Sequence, residues 1–434
     1  MRRWPSCGIS AVGQSLPESQ RAAQPAATVA ATPSPWSVAM IGLCIFTFAA
    51  VTDRAPIGGI GIALGALGLV TQRSRLRAPR FLWLYVVYVG WALATLPLSD
   101  HPHIVWDQVV ERLKIGALIF LIVNALRTEP QARLYNLFFL ACFGLFPARS
   151  ALMNLAHGYT LFGRAIASQS YAANPNDLAA IALLALGIAL GSAFAARERR
   201  AVRLLAGFSA LALVALIILT QSRGAFLGLV IGLGWAISVT SLRRVSTVVL
   251  ALALGVAAVH YMPSTVWDRF AGLQKLTSAA TISQADPEGS AEQRVRISKV
   301  AWRIFRDHPV VGVGLGVYRE ENTHYAPELG RRDTHDTYLN LAAELGLVGL
   351  AIWCWMFGSA LLFARRQRRI LPAVASSVEQ IWMERALLGF LVASLFGTYS
   401  HISIPYLVLA SLWCIADTRA GRAASGSSAR IQSR

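Results

Sequence analysis

Apolar residues occur along this chain in long continuous runs, and short polar segments rich in arginine separate these runs. The runs approach the length of a helix that crosses a bilayer, which needs roughly 20 mostly apolar residues. The pattern predicts twelve membrane-spanning helices: Trp36–Val51, Ile57–Thr71, Phe81–Leu98, Leu113–Leu126, Leu134–Met153, Leu178–Ala195, Leu204–Thr220, Ala225–Thr240, Ser246–Met262, Tyr338–Ala364, Arg385–Tyr399 and Ile404–Ala416. We therefore expect an all-α polytopic membrane protein.

Composition supports this fold class, because 55% of the 434 residues are hydrophobic and only 14% are charged. A net charge of +18 would suggest nucleic-acid binding in a soluble protein. Here the arginines cluster in alternate loops, so membrane topology explains them and no nucleic-acid partner is expected. The positive-inside rule places these loops and both termini in the cytoplasm. Arg223 and the loop Asn154–Asn176 then face outward.

The same pattern divides the chain into five parts. Residues 1–35 are rich in proline, alanine and serine, which predicts a disordered cytoplasmic tail and not a cleavable signal peptide. Residues 36–262 hold the first nine helices, and residues 263–335 form one large outward-facing loop that contains helices. Residues 336–417 hold the last three helices, and residues 418–434 form a second disordered cytoplasmic tail.

Arg223 stands in the segment Thr220–Gly224, between two apolar runs that leave no room for a polar loop. An arginine costs about 2.5–3.5 kcal/mol at the centre of a membrane helix and less near its ends. The side chain could simply anchor a helix end at the interface. A guanidinium group also fits phosphate oxygens. The residue therefore indicates a site for a lipid headgroup or a phosphorylated substrate at the membrane face.

The large loop contains an amphipathic pattern at Ala291–Arg306, with apolar residues at helical intervals and cations between them. The apolar positions are Val295, Val300, Ile304 and Phe305. The segment Gly312–Gly316 that follows superficially resembles a nucleotide-binding loop, but no strand and helix flank it. We therefore interpret it as a flexible turn.

Several motifs together resemble the O-antigen ligase and O-antigen polymerase superfamily, over roughly residues 60 to 415. The motifs are Phe162–Arg164 ahead of Asn174–Asn176, Thr220–Ala225, Arg294 ahead of His308–Gly314, His335–Leu339 and Ala343–Gly349. Each motif alone is weak, whereas their order across one long periplasmic loop is fairly specific.

The resemblance implies a metal-independent glycosyltransferase without a cofactor, which moves a glycan from undecaprenyl pyrophosphate to an acceptor at the periplasmic face of the bacterial inner membrane. By position, Arg223 and Arg294 would bind the pyrophosphate, with Arg164 and Arg269 assisting. His335 would act near the acceptor hydroxyl or the leaving phosphate, and a neutral histidine can accept a hydroxyl proton near pH 7. The acceptor is lipid A core or another glycolipid for a ligase and a second lipid-linked repeat unit for a polymerase.

Other interpretations of individual residues stay open. Asp336 stands where the family commonly has asparagine, and it could raise the pKa of His335 or cap the next helix. Asp333, His335 and Asp336, with His324 nearby, could instead bind a divalent metal ion.

Four further polar residues have less specific assignments. Asn176 and Asp177 are expected to cap the helix that follows them. Lys114 could touch lipid phosphates near an outer helix end, and Glu344 is expected to have a polar partner inside the bundle. A solute transporter is the second class of function, but the sequence shows neither repeated halves nor broken mid-membrane segments.

Overall fold

The computed structural model describes residues 36–72, 75–196, 198–237, 290–370 and 377–432. The predicted N-terminal tail, the ninth predicted helix and Arg269 lie outside these residues. The helices of the described part are α1 (Val38–Thr52), α2 (Ala55–Thr71), α3 (Arg80–Ala94), α4 (Pro102–Ala125), α5 (Glu129–Phe143), α6 (Arg149–Ala156), α7 (Pro175–Phe194), α8 (Arg200–Leu219), α9 (Arg223–Ile237), α10 (Ser290–Asp307), α11 (Tyr318–Tyr325), α12 (Thr337–Ile370), α13 (Ser377–Ala393) and α14 (Ile404–Gln432). These residues contain no strand, which confirms the all-α prediction for this part of the chain.

Five helical segments of the described part are long and apolar enough to cross a membrane. They are Arg80–Leu98, Glu129–Ala156, Pro175–Phe194, Arg200–Leu219 and Thr337–Ile370. The second of these joins α5 to α6 through a short π-helical segment that contains Pro147. The chain is therefore a multi-pass membrane protein, and the total of twelve spans stays a prediction.

Helix α7 lies at the centre of the bundle. It is apolar on every side, as a fully enclosed helix must be, and 83% of its apolar window is buried, against 39–44% in the other four spans. Small residues allow close packing around it, as is common between membrane helices. Gly187 of α7 contacts Ala386 and the backbone of Trp382 on α13, and Gly228 of α9 meets Gly389 of α13.

Ion pairs join the arginine-rich loops at the end of the bundle where α3 and α5 begin. Arg77, just before α3, lies 2.8 Å from Asp417 of α14. Arg133 of α5 lies 3.1 Å from Glu379 of α13. Arginines of loops that the sequence assigns to the cytoplasm thus contact acidic groups at one end of the helices, whereas the side of the membrane they occupy stays a prediction.

Helix α12 is broken at Gly346, where the sequence predicts one continuous helix. Gly346 has φ 67°, in the left-handed region that favours glycine. The Leu347 N–H, freed by the break, donates to the carbonyl oxygen of Pro309 at 2.8 Å. A Cβ atom on Gly346 would collide with the backbone of Val310. The break therefore makes a docking place for the segment that follows α10.

The glycine-rich segment Gly312–Gly316 packs against the first part of α12. The Val313 N–H donates to Ala343 O at 3.1 Å, and the Gly314 N–H donates to Glu344 O at 2.8 Å. The buried Glu344 carboxylate accepts the N–H of the last glycine in the segment, which agrees with the expected polar partner. Because helix carbonyls take these N–H groups, the segment is a packing element rather than a phosphate cradle.

Two helices extend beyond their apolar runs. Helix α4 begins at Pro102 instead of Leu113, because its first turns carry polar residues that the hydrophobic pattern does not include. Helix α14 continues past Ala416 to Gln432. Four alanines and three arginines, both good helix formers, lie among the 16 residues of this extension. The disordered tail at residues 418–434 stays a prediction.

We expect Gly346→Ala to destabilise the protein, because a backbone with φ 67° and ψ −170° costs about 1–3 kcal/mol for a residue other than glycine and the new Cβ would also displace Val310. The matched control is Gly358→Ala, where a Cβ meets no atom within 4 Å. Thermal unfolding of the purified protein in detergent measures both variants. A midpoint for Gly346→Ala equal to that of the control would contradict this account of the break.

Candidate active site

A cavity of about 930 Å³ lies where α9 begins. Its walls come from the loop before α7, the first turns of α9, one face of α10, the loop before α12 and the segment after α13. Four of the five predicted site residues line it: Arg164, Arg223, Arg294 and His335. Three permanent cations and one imidazole from distant parts of the sequence therefore share one site, and Arg269 lies outside the described residues.

Arg164 is positioned by a tight turn. Phe162 and Gly163 have φ 53° and 72°, and the backbones of Leu161 and Arg164 exchange two hydrogen bonds of 3.1 Å, as in the turns that join hairpin strands. The Arg164 guanidinium then donates to Thr220 O at 2.8 Å. This bond ties the loop before α7 to the end of α8.

A second hydrogen bond of Arg164 corrects the prediction for Asn176. Arg164 Nη2 donates to Asn176 Oδ1 at 2.7 Å. The cap of α7 is Asn174, whose side chain accepts the Asn176 N–H at 2.8 Å. Asn176 and Asp177 lie inside the first turn instead, because the helix already begins at Pro175. Asn176 therefore orients an arginine of the site.

The turn between α8 and α9 places Arg223 at the first position of α9. Gln221 adopts φ 51°, and its amide donates to Gly163 O at 3.3 Å. The buried Ser222 accepts the Ala225 N–H at 3.4 Å. The first N–H groups of a helix and its dipole favour an anion. Both the Arg223 guanidinium and the helix end thus make this part of the cavity electropositive.

Helix α10 presents two different faces. Ile297, Val300, Ala301 and Ile304 are buried, as the amphipathic pattern requires. The opposite face lines the cavity with Arg294, Val295, Ser298, Lys299, Trp302, Arg303 and Arg306. The sequence placed Val295 on the apolar face, but it is 39% exposed and faces the cavity. The cavity wall on this side is therefore cationic, with one exposed tryptophan.

His335 lies two residues before the start of α12 in a left-handed conformation, with φ 51°. Asp336 follows it and caps α12, because its carboxylate accepts the N–H groups of Tyr338 at 2.8 Å and Leu339 at 3.1 Å. These bonds favour the interpretation of Asp336 as a helix cap. The cap fixes the chain direction at this point and so turns the imidazole towards the cavity.

Asp333 anchors the loop that carries His335. Its carboxylate lies 2.7 Å from Arg319 Nη2 and accepts the Thr398 hydroxyl at 2.8 Å. Burial alone would raise the pKa of Asp333, but Arg319 and Thr398 lower it below its ordinary value. An ionised carboxylate thus connects this loop to α11 and to the segment after α13.

The metal alternative receives no support from these contacts. Asp333 is bonded to Arg319, and Asp336 caps α12. His324 lies on the exposed side of α11. Across the ranges that the structure describes, no group of three histidine, cysteine or acidic side chains has a metal-binding arrangement.

The imidazole of His335 has a lowered pKa. Burial is the largest cause, because it disfavours the charged form, and the positive charge of Arg294 adds to the effect. The negative charge of Asp333 opposes both. A histidine with a pKa below about 6.5 is neutral at pH 7 and can accept a proton.

Sequence reasoning missed some residues that line the site. Lys299 and Arg303 lie on the side of α10 away from the buried Ile297, Val300 and Ile304, so helical periodicity counted from these apolar positions could have identified them. Phe396 gave no signal, since it reaches the cavity only through packing of the segment after α13 against Gly224. Lys114, which the sequence suggested for lipid phosphates, lies elsewhere and is paired with Glu111 at 2.6 Å.

One comparison with known proteins matches part of the chain. Residues 208–354 match a family model described as O-antigen ligase. The matched segment contains Arg223, Arg294 and His335, whereas Arg164 precedes it. The resemblance that the motifs indicate is therefore confirmed. No curated protein shows significant similarity to the chain.

We expect Arg294→Gln to raise the pKa of His335, because it removes a positive charge that disfavours the imidazolium form. Diethylpyrocarbonate modifies neutral histidine, so its rate at the His335 peptide, followed by mass spectrometry against pH, reports this pKa. The wild-type midpoint should lie below about 6.5 and move upwards in Arg294→Gln. Arg331→Gln, at an exposed arginine outside the cavity, is the control. An unchanged midpoint in Arg294→Gln would contradict this electrostatic account.

Proposed function

We propose that this protein transfers a glycan from undecaprenyl pyrophosphate to an acceptor glycolipid, without a metal ion. The match of residues 208–354 to a family model described as O-antigen ligase supports this proposal. The site faces the periplasm in the inner membrane, with both termini in the cytoplasm. One observation carries the proposal: Arg164, Arg223 and Arg294 line a single cavity together with His335.

The cations bind the pyrophosphate of the donor. Arg223 and Arg294 contact its oxygens, because guanidinium groups stay charged and bind phosphate in a two-pronged geometry. Arg164 adds a third charge while its bonds to Thr220 and Asn176 hold it in place. Arg269, outside the described residues, is a further candidate for this role. Groups fixed before the reaction stabilise the charge that develops on the leaving group.

The lipid chain of the donor lies along α9. Phe226, Leu227 and Val230 are exposed on this helix and line the cavity, as do Leu395 and Phe396. The cavity therefore combines a cationic wall with an apolar wall. A polyprenyl pyrophosphate has the same two parts, and this agreement supports an amphiphilic donor over a soluble sugar nucleotide.

His335 acts as the general base. The acceptor hydroxyl oxygen attacks the anomeric carbon of the glycan, and a new carbon–oxygen bond forms as the bond to the pyrophosphate breaks. The electron pair of the broken bond leaves with undecaprenyl pyrophosphate. The hydroxyl proton passes to the neutral imidazole of His335 and then to water. Its lowered pKa keeps His335 ready to accept this proton at neutral pH.

A repeat-unit polymerase of the same superfamily is the alternative, and it differs only in the acceptor, which is a second lipid-linked repeat. A transporter is less well supported, because the arginines line one cavity at a helix end instead of a pathway across the bundle.

We expect Arg223→Ala to reduce glycan transfer by about 10²–10³-fold, the usual effect of losing one charge-stabilising group. The variant is tested in a deletion strain by gel analysis of surface polysaccharide. Lipid-linked chains should accumulate, and the ladder should disappear from its anchor. Arg331→Ala, at an exposed arginine paired with Glu320, is the control. A normal ladder in Arg223→Ala would exclude the catalytic role, and a single repeat left on the anchor would assign the polymerase reaction.

For His335, both His335→Ala and His335→Asn should lower turnover by about 10²–10⁴-fold while the affinity for the donor is retained. Asparagine tolerates the left-handed backbone better than alanine, so equal losses assign the effect to proton transfer. Steady-state kinetics with purified protein in nanodiscs measure both quantities. Near-normal turnover in His335→Asn, or a parallel loss of donor affinity, would assign His335 to structure or binding instead.

A further inference from the structure

A second cavity, of about 610 Å³, lies at the same end of the bundle. Its walls come from α1, α2, α4, the loop before α7 and the loop before α14. None of the residues assigned to the donor site lines it. The contacts described above leave this cavity without a role.

Two loops form walls of both cavities. The loop before α7 contributes Arg164 to the first cavity and Tyr171 to the second. The segment between α13 and α14 contributes Phe396 to the first cavity and His401 to the second. Tyr171 is fixed by a hydrogen bond from its hydroxyl to Val51 O at 2.6 Å. The loop before α7 and the segment before α14 therefore line both cavities.

Glycines on α2 leave space for this cavity. Gly61, Gly65 and Gly68 are needed for packing, because a Cβ on any of them would collide with α1 or α4. Gly58 and Gly59 are different: a Cβ on Gly58 would make only ordinary contacts, and a Cβ on Gly59 would meet no atom within 4 Å. A helix-internal glycine costs about 1 kcal/mol relative to alanine. Gly59 lines the cavity, so a side chain at this position would occupy part of its space.

The chemistry of the second cavity differs from that of the first. Phe46, Ile62 and Ile115 supply apolar walls, and Asp53 and Lys114 belong to a polar rim. The rim also contains Glu111 and His401. Since Glu111 neutralises Lys114 at 2.6 Å, the rim has no excess positive charge. The rim is suited to hydroxyl groups, because hydroxyls can donate hydrogen bonds to its carboxylates. It is not suited to a pyrophosphate.

We propose that this second cavity binds the acceptor, an amphiphile that places an apolar chain against α2 and a hydroxyl-bearing sugar, without a pyrophosphate, at the rim. The inference rests on the proposed transferase function and adds the class of the second substrate to it. A transferase needs two bound substrates, and the first cavity has the charge and shape for the donor. The rim lacks the excess positive charge that a second pyrophosphate-linked repeat would favour, because Glu111 pairs with Lys114.

Gly59→Phe tests the proposal, since the phenyl ring would fill the cavity from a position that has room for a side chain. The control is Gly90→Phe on α3, where a Cβ likewise meets no atom within 4 Å. The full-length protein in nanodiscs is assayed with an undecaprenyl-pyrophosphate-linked glycan and, as acceptor, lipid A core isolated from the deletion strain. Gly59→Phe should raise the KM for the acceptor by about ten-fold or more and leave the KM for the donor unchanged, and Gly90→Phe should change neither.

The outcomes separate the two proposals. No transfer by the wild-type protein, with either the glycolipid or a second lipid-linked repeat as acceptor, would overturn the proposed function itself. Transfer with an unchanged acceptor KM in Gly59→Phe would overturn only the acceptor site. The same conclusion would follow if the wild-type protein used the lipid-linked repeat efficiently and Gly59→Phe impaired the use of both acceptors to the same extent. Ile62→Trp narrows the same cavity from the next turn of α2. It provides the same measurement if Gly59→Phe does not fold.

Discussion

The hydrogen bonds of Arg164 hold the site together. One guanidinium group joins the tight turn before α7 to the end of α8 through Thr220 O and to the first turn of α7 through Asn176 Oδ1. α7 is the most buried of the five apolar spans, so these bonds connect a surface loop to the most constrained helix. The turn that carries Arg223 begins at Thr220. The position of the second arginine therefore depends on the bonds of the first.

A second constraint fixes the described part of the large loop, residues 290–335. The break in α12 at Gly346 leaves backbone groups without partners inside the helix. The segment after α10 forms hydrogen bonds with them, since Pro309 O accepts the Leu347 N–H and the Gly314 N–H donates to Glu344 O. Asp333 ties the end of the same loop to Arg319 and Thr398. Anchored at both places, the loop presents Arg294 and His335 to the cavity that Arg223 lines. Catalysis by fixed charges requires such positions to be set before the substrate arrives.

Much of this arrangement follows from the sequence, because helical membrane proteins show their spans as apolar runs and their unusual arginines as exceptions within them. The resemblance of the motifs identified Arg164, Arg223, Arg294 and His335, which share one cavity. The break at Gly346 could not be predicted, since the apolar pattern continues across it. The prediction that Asn176 caps α7 was wrong, because its partner, Arg164, comes from a loop whose conformation depends on tertiary packing. The walls of the second cavity escape prediction for the same reason, since five separate segments form them.

The central claim is that a pyrophosphate binds between Arg223 and Arg294, next to His335. The most direct test is an electron cryo-microscopy structure of the full-length protein in nanodiscs with undecaprenyl pyrophosphate. The account predicts density for the two phosphates in contact with Arg223 and Arg294, with the polyprenyl chain along the exposed side of α9. Density for the pyrophosphate at the opposite end of the helices, or away from these arginines, would contradict it.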